Sequence, residues 1–87
     1  MSLEKQFKKA QEEVNDLPQR PANDELLNIY ALFKQATAGD VSGKRPGMLD
    51  IKGRAKYDAW AEKQGMAKKA AMQDYVDYVA TLQAKYG

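Results

Sequence analysis

Residues 30–60 read YALFKQATAGDVSGKRPGMLDIKGRAKYDAW, and the rest of the chain is organised around them. The run begins as a helix with two aromatics and a lysine, breaks into a Gly/Pro loop, and restarts as a lysine-rich helix. Tyr30, Phe33 and Lys34 stand three and four residues apart, so helical geometry gives them one face. Lys52, Lys56 and Lys63 share a face of the second helix by the same spacing. Brought together across the loop, the two faces make a basic, aromatic-lined notch. Such a notch suits an anion that carries a flat ring, as a nucleotide does.

Between these helices, residues 39–51 form a loop of thirteen residues with three glycines and one proline. Loops of that length in a small domain tend to be functional or disordered, and Met48, Leu49 and Ile51 predict one that packs down. Asp50 is placed to cap the following helix, although Gly53 blurs its start. That helix carries Ala55, Tyr57, Ala59 and Trp60 and ends at Gly65; Trp60 reads as helix-packing core.

On the N-terminal side, Asn23-Asp24-Glu25 predicts a helix start with a capping side chain and acids at the positive end of the dipole. From there to about Ala38, apolar residues cover more than half the circumference. A surface helix needs one stripe only, so this helix is central or lines something. Gly39 suits the left-handed position after its end. Earlier still, Leu3, Phe7, Ala10, Val14 and Leu17 give the stripe of an amphipathic helix over residues 3–17, with Ser2 as its cap and Pro18 as its stop. The last helix runs from about Ala67 to Lys85 and lacks a capping residue, with Lys68 and Lys69 opposing its dipole. Ala71, Tyr75, Tyr78 and Leu82 form one of its rows; Met72, Val76 and Val79 form another. Phe7, Val14, Leu17, Ile29, Val79 and Leu82 are the expected core. No stretch alternates with period two, which predicts four helices and no strand.

At 87 residues the chain has room for one small domain. There is no cysteine, which removes disulfides and thiol chemistry and fits a reducing compartment. There is no histidine, which removes the commonest general base near neutral pH. Net charge is +2, lower than a dedicated nucleic-acid binder usually shows. The cations are nevertheless clustered. Between residues 44 and 56, Lys44, Arg45, Lys52, Arg54 and Lys56 face Asp50 alone. No apolar run approaches the ~20 residues of a membrane span, and MSLEKQFKK lacks the apolar centre of an export signal.

The chain resembles acyl-CoA binding proteins over essentially its full length. The resemblance rests on Tyr30 with Lys34-Gln35-Ala36-Thr37, Gly39-Asp40, the run from Arg45 to Asp50, Lys56 with Asp58-Ala59-Trp60, and the closing Lys85-Tyr86-Gly87. It implies an all-α four-helix bundle running up-down-down-up, with residues 1–87 as one acyl-CoA-binding domain. It further implies a cytoplasmic carrier and pool former in fatty acid metabolism that binds medium- and long-chain fatty acyl-CoA with high affinity.

The resemblance also assigns residues. Tyr30, Lys34 and Lys56 match positions that hold the 3′-phosphate and adenine, and Tyr75 matches an aromatic that closes over the ligand. Phe33 stands where the family often has tyrosine, Asn15 where a basic residue often sits, and Lys52 is basic where many members are not. With Ala31, Leu32, Leu26 and Leu27 these make the expected ligand-binding set. The acyl chain is expected on the apolar surface of Leu26, Leu27 and Ile29, with Met48 and Leu49 from the loop. Catalytic residues, metal and cofactor are expected to be absent, and fatty acyl-CoA is the ligand. The expected partners are acyl-CoA-using enzymes or membranes that receive it transiently, with the protein a monomer that does not bind nucleic acid.

Two other classes compete with a carrier. A helical nucleic-acid module using the 44–56 cations is opposed by the near-neutral charge and would show steep salt dependence. An enzyme is opposed by the lack of His and Cys and by the lack of a carboxylate pair in the notch.

Overall fold

A computed structural model describes residues 2–87 as four helices, with no strand among them. The first, α1, spans Leu3–Asn15, and the Ser2 hydroxyl caps it by accepting from the Lys5 N–H at 3.2 Å. It stops two residues short of the expected Leu17, because Pro18 disfavours helical geometry in the residue before it.

Helix α2 spans Asn23–Thr37, and its start differs from the expected one. Asn23 is the first helical residue, not the cap, and its Oδ1 accepts from Arg20 Nη1 at 3.2 Å. The exposed Ala22 N–H is satisfied by Glu25 Oε1, which reaches back one turn at 2.9 Å. The helix closes as the Gly/Pro loop predicts: the Ala38 and Gly39 N–H groups both donate to Lys34 O, and Gly39 takes φ +86°.

Asp50 caps α3, Ile51–Ala61, by accepting from the Gly53 N–H at 3.0 Å. Gly53 makes this cap possible: a Cβ there would lie 2.3 Å from the Asp50 carboxylate. Helix α4 spans Lys68–Tyr86 and starts at Ala67 with no side-chain cap.

Three sets of contacts fix the directions. Glu25, at the start of α2, takes Lys85 and Tyr86 from the end of α4, while Gln35, near the end of α2, donates to Met66 O before the start of α4. These two helices are antiparallel. Pro18, just after α1, lies against Gly87, so α1 and α4 run parallel. Tyr30 meets Lys56 and Lys34 meets Trp60, so α2 and α3 are parallel as well. The bundle is therefore up-down-down-up.

Helix α4 packs on α1 and α2, and α2 packs on α3 through its other side. This explains the wide apolar circumference of α2. The core gathers Phe7 and Ala10 from α1, Leu32 and Ala36 from α2, and Ala71, Tyr75 and Val79 from α4. Phe7 and Tyr75 meet edge to face with centroids 4.9 Å apart, a favoured aromatic geometry. Leu82 and Trp60 are buried too, while Val14 and Ile29 pack half-buried against the core.

Polar groups, not apolar side chains, hold the α2–α3 loop down. Trp60 Nε1 donates to Gly39 O at 2.8 Å, and the Tyr57 hydroxyl donates to Gly43 O at 3.0 Å. Arg45 grips Asp58 in a bidentate pair at 2.8 and 2.6 Å. Asp40 Oδ1 accepts from both Gln35 Nε2 and the Gly65 N–H at 2.8 Å. The expectation that Met48, Leu49 and Ile51 pack down is overturned: they are 81%, 100% and 77% exposed. With its polar groups turned inward, the loop presents these three outward.

Candidate functional site

A cleft of about 590 Å³ opens between α2 and α3, within the size range of small-molecule sites. One wall is the α2 face of Leu26, Leu27 and Tyr30, at steps of one and three. Across it stand Ile51, Lys52, Ala55 and Lys56 from the first half of α3. Because Lys52 and Lys56 are one turn apart, as are Ile51 and Ala55, the α3 wall is half cationic and half apolar. Arg20, carried there by the linker between α1 and α2, and Asn23, the first residue of α2, complete the lining.

Lys56 Nζ lies 5.4 Å from the Tyr30 ring centroid, and Lys34 Nζ lies 4.9 Å from that of Trp60. Both are cation–π distances. The cleft thus combines a flat ring, ammonium groups and an apolar floor. Its lining contains no carboxylate. Asp58 and Asp40 are engaged by partners of their own. The Arg45 hydrogen bond holds Asp58 below the usual carboxylate range, and the Gly65 N–H with the Gln35 amide does the same for Asp40. No group of three or more metal-capable side chains occurs among the described residues.

Of the residues expected from sequence, the structure brings Tyr30, Leu26, Leu27, Lys52 and Lys56 into the cleft. Lys34 sits one turn further along α2, on Trp60. The others lie elsewhere. Phe33 turns to the core and stacks with Phe7 at 6.1 Å, so the three-residue face of Tyr30, Phe33 and Lys34 is split between two neighbours. Ala31 and Leu32 are buried, at 1% and 2% exposure. Tyr75 is buried against Phe7, and that burial raises its pKa above the ordinary phenol value. Asn15 is exposed at the end of α1, outside the cleft. Met48 and Leu49 are not in the lining; Ile51 and Ala55 take the place expected for them. The spacing of Ile51, Lys52, Ala55 and Lys56 is a readable signal for that wall. Arg20 has none, since a proline-bounded linker carries it in.

A small all-α module with a ring-and-lysine cleft above an apolar floor defines a ligand-binding protein built for an anion with a greasy tail. Comparison with known proteins gives the family. The profile of the acyl CoA binding protein family matches residues 4–79. An acyl-CoA-binding protein homolog of Drosophila melanogaster is 48% identical over 84 residues, 97% of this chain and 98% of that protein. A homolog from Caenorhabditis elegans is 53% identical over 81 residues, 93% and 94% of the two chains. The crystal structure of Oryza sativa acyl-CoA-binding protein 2 superposes with a TM-score of 0.91 at 38% identity, covering 95% of this chain and 90% of that one. That of the Moniliophthora perniciosa protein gives 0.88 at 44%, covering 98% and 83%. The chain belongs to the acyl-CoA-binding protein family.

Proposed function

We propose that the protein binds medium- and long-chain fatty acyl-CoA with high affinity and acts as a cytoplasmic carrier and pool former. It sequesters the thioester, hands it over as a monomer, and breaks no bond. The observation that carries this reading is the juxtaposition of Tyr30, Lys52 and Lys56 with Leu26 and Leu27 in one cleft. Adenine lies on the Tyr30 ring, and the phosphates draw Lys56 and the nearby Lys34 off their aromatic rests and take Lys52 from the cleft wall. The acyl chain follows Leu26 and Leu27 between the helices, gaining roughly 0.8 kcal/mol per buried methylene. Family membership supports the ligand class, and a chain without His or Cys supports binding rather than catalysis.

Calorimetry with palmitoyl-CoA, free coenzyme A and palmitate tests the reading. Palmitoyl-CoA is expected to bind far more tightly than either part, because one cleft takes both. Equal affinity for palmitate and its thioester overturns it. Incubation should leave the thioester intact, and binding of bare oligonucleotides with steep salt dependence would favour a nucleic-acid module instead.

A further inference from the structure

Loop polar groups are tied inward by Asp58, Tyr57 and Trp60, yet three large apolar side chains at positions 48, 49 and 51 stand in solvent. Leu49, at 100% exposure, has no covering contact. Exposed apolar clusters held this way mark interaction sites more than they mark slack loops.

The charges around the cluster narrow the partner. On the helical wheel of α3, Ile51 is flanked by Lys52 on one side and Arg54 on the other, with Lys56 a turn beyond and Lys44 in the loop. Asp50 is the only acid in this stretch, and it is occupied as the cap of α3. A two-fold contact between copies of this chain would set these cations against each other, since such an interface is self-complementary. Three exposed side chains also lack the area of a standard protein interface, about 800 Å² on each partner. An apolar tip inside a cationic collar instead fits a plane that is anionic outside and fluid and apolar beneath.

We propose that the Met48–Ile51 turn is a docking wedge for the anionic surface of a lipid bilayer. Met48 and Leu49 enter the boundary between headgroups and acyl chains, while Lys44 and Arg54 meet the phosphates. Ile51 belongs to both the wedge and the cleft lining, so docking sets the cleft mouth against the membrane. What docking achieves, loading or release of a lipid-like ligand, rests on the function proposed above; the docking itself does not.

Flotation of ligand-free protein with extruded vesicles tests it. Vesicles of phosphatidylcholine with about 30% phosphatidylserine, an anionic surface of the kind that attracts basic segments, are compared with pure phosphatidylcholine. Wild type should bind the anionic vesicles and not the neutral ones. Met48→Ser/Leu49→Ser should weaken this by about tenfold or more. Lys44→Ala/Arg54→Ala should weaken it by about fivefold for each cation removed. The chain has no native cysteine, so Leu49→Cys accepts a polarity-sensitive dye cleanly. Its emission should shift to the blue on anionic vesicles, and that of a Lys8→Cys control should not.

Absence of vesicle binding, or binding that the serine pair leaves intact, overturns the wedge. So does a serine pair that lowers palmitoyl-CoA affinity in vesicle-free buffer, which would make the turn a lid over the ligand. A ligand-free dimer in the ultracentrifuge that the same pair abolishes would make the partner a second copy, and would overturn the wedge equally. Because flotation uses no ligand, failure of palmitoyl-CoA binding in calorimetry strikes the proposed function alone.

Discussion

Lys56, on α3, rests on the ring of Tyr30 from α2, and one turn further along Lys34 of α2 rests on the ring of Trp60 from α3. The exchange is reciprocal: each helix lends a lysine to the other's aromatic at the same step of four residues. Parallel packing makes this possible, since it keeps the register between the two helices constant along their length. The rests are shallow. A cation–π contact at an exposed site contributes about 0.5–1 kcal/mol, whereas a hydrogen bond to a charged group contributes about 1.5–3. A phosphate entering the cleft should therefore win both lysines.

Lys56→Ala should weaken acyl-CoA binding strongly and binding of the 3′-dephospho analogue hardly at all. Lys34→Ala should do the same, and, if both lysines act on the one 3′-phosphate, the double variant should fall short of the summed losses. Lys8→Ala, on the exposed side of α1, should change neither. Titration calorimetry with the two ligands reads the result. Equal weakening of both ligands by Lys56→Ala would show general charge steering instead.

Trp60 is the sole tryptophan, so its emission reports on Lys34 directly. Acyl-CoA should change that emission as the ammonium leaves the ring, and Lys34→Ala should remove most of the change. A full response in Lys34→Ala would mean that Lys34 stays where it is.

Helix α4 begins at Ala67 without a side-chain cap and with Lys68 and Lys69 against its dipole. Ala67→Ser or Ala67→Asp should raise stability by about 0.5–2 kcal/mol in urea melts. Palmitoyl-CoA affinity should stay unchanged, since Ala67 is not among the residues that line the cleft.

Gly53→Ala should lower stability by about the value of the Asp50 cap, roughly 0.5–2 kcal/mol, because the new Cβ expels the carboxylate. Asp50→Ala should cost about the same. The two losses should not add, since both remove one hydrogen bond. Additive losses in chemical denaturation would place the cost in backbone strain.

Glu25 is buried at the start of α2, where the Tyr86 hydroxyl, the Lys85 ammonium and the Ala22 N–H push its pKa from 4.5 down to about 2. A pKa depressed by folding stabilises the protein above the unfolded value and loses that contribution as pH falls through the folded one. The loss belongs between pH 4.5 and about 2. Glu25→Gln should flatten the acid side of the stability profile in that window. Asp40 and Asp58 are shifted in the same direction, so part of the slope should remain. An unchanged slope in Glu25→Gln would mean that the α2–α4 tie does not depend on charge.

Local chemistry makes the helices legible. Three-and-four spacing, Ser2, Asp50, Pro18 and Gly39 act on the backbone within one turn, so residues close in sequence carry the signal. The same holds for the α3 wall and for the central run that identifies the family. Periodicity also shows that α2 has too much apolar surface for one neighbour.

What periodicity lacks is the identity of the neighbour. Tyr30, Phe33 and Lys34 share an arc of α2, but α3 arrives on one side of that arc and α1 and α4 on the other. Phe33 goes to Phe7 and Tyr30 goes to the cleft. Hydropathy likewise predicts burial for Met48 and Leu49, whereas the loop's polar groups find partners on α3 and leave these side chains outside. The α1–α2 linker carries Arg20 to the cleft, and packing carries Glu25 onto Lys85 and Tyr86. In a sequence, a side chain's burial tendency is its own property. Its contact partner is a property of two segments, and only the tertiary structure brings the second one to it.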